Sequence, residues 1–261
     1  ISSSAQERAA TAKRWRRPFS FRPAMSPPIN PAPADLPLSK LPNFDPREVP
    51  VLGVDAHLPP VAAQLLLPDA LRARFRAPPA WQPETSTERR FADRVPARAS
   101  VLVPIVMRER PMVLLTERTT HLSTHSGQVA FPGGRRDDTD TDEAHTALRE
   151  AHEEIGLTAD LVEVVGQLPT YTTGSQFIIT PVIGLVDPRH RLTLNPFEVA
   201  DAFEVPLEFL MNPAHHRRHA VEFGGVRREW ISMPYREGEV ERFVWGATAA
   251  MLRNFYRFLI A

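Results

Sequence analysis

Glu150, Glu153 and Glu154 stand at positions i, i+3 and i+4, a spacing that puts all three carboxylates on one face of a helix. Like charges at that spacing repel, costing an isolated helix about a few tenths of a kcal/mol per pair. A chain that keeps three together calls for a cation. Converging carboxylate oxygens suit a hard ion such as Mg²⁺ or Mn²⁺, and such ions commonly escort phosphates. Gly133 and Gly134 precede the helix; they let the backbone turn tightly and come close to a ligand, with carbonyls free to face a metal. Arg149 lies where it can pair with Asp140 or Asp142 and pin loop to helix. A divalent ion held there would neutralise phosphate oxygens and acidify a bound water. The chemistry implied is metal-assisted attack of water on phosphorus. A solvated acidic helix face would show the same three glutamates; Phe131-Pro132-Gly133-Gly134 before them, Arg149 beside them and Gly156 after them separate the two readings.

The elements that position these groups follow from periodicity. Ala144, Ala147, Leu148, Ala151 and Ile155 form an apolar stripe, which predicts a helix over 143–155. Asp140 is the expected N-cap, with Glu143 three residues on as in a capping box, and Gly156 ends the helix. Residues 99–106, 112–116, 161–168, 178–186, 221–232 and 242–245 read as strands. Residues 246–259 read as a terminal amphipathic helix, and 205–213 as a short helix or turn. Strand runs with helices at separated places predict α/β or α+β layering.

Proline divides the chain, with seventeen of its 27 prolines before residue 99. Residues 1–60 therefore read as a proline-rich, disordered extension. Residues 61–97 read as a helical packing arm broken at Pro68, and 98–261 as the main domain. Residues 1–24 precede the first methionine, Met25, and are set aside either as upstream sequence or as an Arg/Ser-rich transit peptide. The hydrophobic fraction of 43% is ample for a core, and the net charge of zero offers no field to recruit nucleic acid. The absence of cysteine excludes disulfides, thiolate zinc sites and a thiol nucleophile. No apolar run reaches the roughly 18 residues of a membrane span. A cytoplasmic protein is the expectation, with no nucleic-acid or membrane partner.

The stretch from Arg149 to Leu157 with the preceding glycine loop resembles the Nudix box, the signature of hydrolases that cleave nucleoside diphosphates linked to another moiety. The resemblance implies an α/β/α sandwich with a mixed sheet, in which Glu150, Glu153, Glu154 and the Gly134 carbonyl hold Mg²⁺ or Mn²⁺. Glu150, Arg149 and a later carboxylate, Glu198, would be the catalytic groups. The usual box sets a glutamate eight residues before its arginine; here Thr141 occupies that place, so Asp140, Asp142 or Glu143 must take its role. Residues 114–134 resemble the motif upstream of the box in coenzyme A pyrophosphatases. Leu114 to Thr116, Arg118, Gly127 and Phe131 to Gly134 carry that likeness, while Ser123 replaces a commonly basic residue. It implies hydrolysis of CoA or acyl-CoA to 3′,5′-ADP and (acyl-)4′-phosphopantetheine, with Arg118, His121, His125 and Gln128 contacting substrate and a homodimer left open. The alternatives are a Nudix hydrolase of ADP-ribose, dinucleotides or another nucleoside diphosphate derivative, and a catalytically silent nucleotide-binding module.

Other signals read more plainly. Glu198 is equally placed to be an acid at a helix N-terminus. His152 faces solvent. His215, His216 and His219 resemble a metal tract but, lacking a nearby acid, read as an exposed basic loop. Thr172, Thr173 and Gly174 form a turn that could line the cleft.

Overall fold

A computed structural model describes residues 44–85, 87, 95–119, 127–223 and 225–261. Its centre is a mixed sheet. Strand β2 (Ala97–Val106) runs parallel to β8 (Phe177–Val186), flanked by β3 (Met112–Arg118) and β6 (Val162–Gln167). Three short pieces complete it: β4 (Val129–Ala130) on β3, β5 (Gly133–Arg135) on β2 and β7 (Tyr171–Thr172) on β8. Strand β9 (Val199–Pro206) pairs antiparallel with β3.

Alternate residues of a strand face opposite sides, and β2 obeys this. Leu102 and Val106 pack against helix α2 (Glu143–Ile155) through Ala147, Ala151 and Ile155. Val101, Val103 and Ile105 join the larger core on the other side, with Leu252, Phe255 and Tyr256 of the C-terminal helix α4 (Gly246–Ile260). Helix, mixed sheet and helix form the α/β/α sandwich. A second, antiparallel sheet lies against α4, in the order β1 (Val51–Val54), β10 (Arg217–Phe223), β11 (Val226–Glu237) and β12 (Val240–Trp245).

Several expectations change. Strand β1 lies inside the stretch read as a disordered extension. The run read as one strand over 221–232 is a hairpin, β10 and β11, whose turn includes Gly225 at φ +72°, a left-handed conformation glycine adopts without steric cost. Strand β9 extends to Pro206 before a single-turn helix α3 (Leu207–Leu210). The histidines are neither an exposed loop nor a metal tract. His216 and His219 are buried. His216 donates from Nε2 to the Leu210 carbonyl (2.8 Å) and accepts at Nδ1 from Arg253 (3.0 Å), while His219 lies 2.8 Å from the Ser232 hydroxyl and stacks on Trp230.

Helix and aromatic contacts join residues 61–97 to the sheet and to α4. Pro68 opens helix α1 (Pro68–Arg76) at its first position, where its missing N–H costs nothing. Phe75 on that helix stacks on Phe258 with ring centroids 4.7 Å apart, over Gly166 of β6, where any β-carbon would stand 2.5 Å from the ring. A charge network, buried at Asp55 and Arg253, holds residues 55 and 84 against β10 and α4. Asp55 accepts two 2.7 Å bonds from Arg218, Glu84 bridges Arg218 and Arg253 at 2.8 Å each, and Arg253, 1% exposed, also reaches Asp55 at 3.1 Å.

Candidate active site

Helix α2 begins at Asp142, whose side chain accepts from the His145 N–H at 2.8 Å. Asp140 is therefore not the N-cap. His145 accepts at Nδ1 from the N–H of Thr141, the residue before the cap, and Glu143 turns to Arg136. The helix ends at Gly156 (φ +70°), as expected.

Asp140 is free for another task. Its carboxylate, fully buried, accepts from Arg149 Nε and Nη2 at 2.9 Å each and from the Asp137 N–H at 2.8 Å. This bidentate pair holds the Asp140 carboxyl well below the usual carboxylate range. The same guanidinium donates to Glu150 (3.0 Å), to Glu153 (3.1 Å) and to the Arg135 carbonyl (3.1 Å). Arg149 thus ties the glycine loop to two of the three glutamates. Of the candidate loop acids it is Asp140, not Asp142 or Glu143, that meets the arginine.

The three glutamates are graded in burial: the Glu154 side chain is 4% exposed, Glu150 15% and Glu153 53%. Glu154 accepts from the Gly133 N–H at 3.1 Å and lies 3.6 Å from Arg118 at the end of β3. Glu150 lies against Gly134, where a β-carbon would stand 2.5 Å from its carboxyl carbon. A β-carbon there would push the Glu150 carboxylate aside, not the helix backbone. Burial pushes the Glu154 carboxyl up to about 7. Gly133 and Arg118 oppose that shift, while the charges of Glu198 and Glu150 add to it. Burial also raises Glu150, against Arg149 and with Glu153 and Glu198. Glu198 therefore belongs to the same electrostatic neighbourhood.

The loop carrying Glu198 is anchored on both sides. Asn195 donates its N–H to the Glu154 carbonyl (2.8 Å), accepts at Oδ1 from Phe197 N–H (3.1 Å) and donates from Nδ2 to Glu198 (3.2 Å). Thr119, following β3, donates its N–H to the Glu198 carbonyl and its hydroxyl to the Phe197 carbonyl, both at 3.1 Å. Asn195 and Thr119 escaped the sequence reading; Asn195 opens a turn into β9, so Glu198 does not sit at a helix N-terminus.

Among the described residues no three His, Asp or Glu side chains form a closed metal cage, because Glu150 and Glu153 face Arg149 and Glu154 faces Arg118. The donor chemistry nevertheless fits a hard divalent ion: the Glu150 and Glu154 carboxyls, raised by burial and by neighbouring negative charge, face a glycine that leaves the Glu150 carboxylate its place. Arg118 and Gln128 flank the same end of β3, their backbones paired at 3.0 Å. His121, His125 and Ser123 lie outside the described residues. His152 is exposed, as expected, and Thr172–Gly174 lead from β7 into β8. In that turn Gln176 is buried at φ +70°, with neither amide atom of its side chain hydrogen-bonded.

A NUDIX domain profile matches residues 96–223. An uncharacterized Nudix hydrolase, NudL, of Enterobacter sp. (strain 638) is 42% identical over 158 residues, covering 60% of this chain and 80% of the relative. The chain belongs to the Nudix hydrolase family. It is a pyrophosphohydrolase, and the matched span contains the loop and helix around Gly134, Arg149 and Glu150. NudL of Yersinia enterocolitica serotype O:8 is also 42% identical, over 156 residues and 78% of that protein. An Ap4A hydrolase of C. elegans aligns with 45% of this chain and 85% of its own at 19% identity, with a TM-score of 0.37. Nudix hydrolases generally work with divalent metal ions.

Proposed function

We propose that this Nudix hydrolase splits the pyrophosphate of coenzyme A or acyl-CoA, releasing 3′,5′-ADP and 4′-phosphopantetheine or its acyl form. One observation supports the substrate reading: Arg118, from the motif that resembles the one in coenzyme A pyrophosphatases, lies 3.6 Å from Glu154. In this reading Glu150, Glu153, Glu154 and the Gly134 carbonyl hold Mg²⁺ or Mn²⁺, which when bound neutralises pyrophosphate oxygens and acidifies water.

The chain's own residues do the rest. Arg149, fixed by Asp140, keeps Glu150 and Glu153 aligned. Arg118 and Gln128, joined by His121 and His125, hold the phosphates. Glu198, gripped by Asn195 and by Thr119, takes a proton from the attacking water. The water oxygen bonds to one phosphorus, the bridging P–O bond breaks, and the departing phosphate carries away the electron pair.

The test is mass spectrometry of products from CoA with Mg²⁺ or Mn²⁺, beside ADP-ribose and NADH. CoA should be turned over fastest, chelation should stop the reaction, and Glu154→Gln should abolish it with the fold intact. Preference for ADP-ribose would refute the substrate, and an active Glu154→Gln the metal assignment.

A further inference from the structure

Phe197 is the one exposed aromatic ring among the described residues, at 82% relative exposure. Its backbone is held at both ends: the N–H by Asn195 Oδ1 and the carbonyl by the Thr119 hydroxyl, each at 3.1 Å. The next residue is Glu198, whose charge acts on Glu150 and Glu154. A flexible exposed phenylalanine is unremarkable on a surface. A phenylalanine whose backbone is bonded into the loop of a phosphate-directed carboxylate cluster is different, because the point from which its ring extends is set before any ligand arrives. A nucleotide places its base one sugar away from its phosphates, and every base has a π-face that stacks on an aromatic ring.

We propose that Phe197 is the stacking platform for the base of the substrate's nucleotide half, and so a specificity residue of the Nudix site. The inference rests on the pyrophosphohydrolase reading of that site but not on coenzyme A being the substrate. It assigns the two halves of the loop different tasks: Glu198 serves the phosphates and Phe197 the base.

Isothermal titration of the full chain with AMP and with ribose 5-phosphate, both with Mn²⁺, tests it without turnover. Stacking of one base predicts that Phe197→Ala weakens AMP binding roughly tenfold or more. Ribose 5-phosphate, which has no base, should bind both proteins alike, and Phe197→Trp should retain AMP. The melting temperature should not move, since the ring packs on little. Unchanged AMP affinity in Phe197→Ala, an equal loss for both ligands, or no AMP binding by the parent protein would overturn the assignment. Failure to hydrolyse CoA would sink the substrate reading while leaving this titration readable.

Discussion

Replacing Asp140 by Asn tests whether the Arg149–Asp140 pair is what binds the glycine loop to the Nudix helix. Asn keeps the shape but removes the charge, and turns an NH₂ toward a guanidinium that can only donate. Breaking a buried ion pair from one side costs about 3–5 kcal/mol. Arg149 is 23% exposed and keeps Glu150 and Glu153 as partners, so the cost falls to the bottom of that range or just below it, about 2–3 kcal/mol. For a domain of this size that lowers Tm by roughly 5–10 °C. Function should suffer through alignment: Arg149 would shift with its anchor, moving Glu150 and Glu153, and metal affinity should drop roughly tenfold or more, as when other supports of metal ligands are removed. Urea unfolding supplies the stability change and Mn²⁺ titration the affinity. A double-mutant cycle with Arg149→Lys supplies the coupling. A stability loss below about 0.5 kcal/mol, or no coupling between the two positions, would refute the reasoning.

Three further outcomes follow from the geometry. Gly134→Ala should leave stability within about 1 kcal/mol, because its new β-carbon meets only the movable end of Glu150, yet should sharply weaken Mn²⁺ binding; equal metal affinity by titration would count against the cradle. His216 is buried neutral, its pKa pushed down to about 4 by burial. A group held below its unfolded value near 6.5 contributes no pH dependence at pH 7, and stability is then lost as pH falls from 6.5 to about 4, by up to about 3 kcal/mol; unfolding free energies measured across that window should decline, and the slope should flatten in His216→Gln. Gln176→Gly should raise the urea midpoint, by about 1 kcal/mol of stability, since it removes a left-handed backbone cost and an unpaired buried amide; a lower midpoint would show that the side chain packs better than its hydrogen bonding suggests.

Helix α2 was legible because its apolar stripe repeats at helical spacing, and the glutamates, Arg149 and Gly134 came with it as local neighbours. Which acid meets Arg149 was not: Asp140 and Asp142 are equally plausible caps on paper, and only the burial of Asp140 decides. Strand β1 escaped because all four of its residues are exposed, so it lacks alternation and exists only by pairing with β10. The histidines misled for a related reason. Their partners, Leu210, Ser232, Val49 and Arg253, are fixed by tertiary packing, and a solvated tract and a buried one share the same letters. Phe197 gave no signal because a lone phenylalanine reads as core.

The clamp of Asp55, Glu84, Arg218 and Arg253 joins residues before the Nudix match to a helix that follows it. Cut at the borders of that match, 96–223 would lose α1, β11, β12 and α4 at once, and the sheet face bearing Val103, Ile105, Ile183 and Leu185 would be bare. The span that matches the profile is thus smaller than the unit that can fold here, and the alignment with NudL, over 158 residues, also runs beyond it. A gene fusion or deletion that respects only the borders of the profile match should yield insoluble protein, whatever the state of its glutamates.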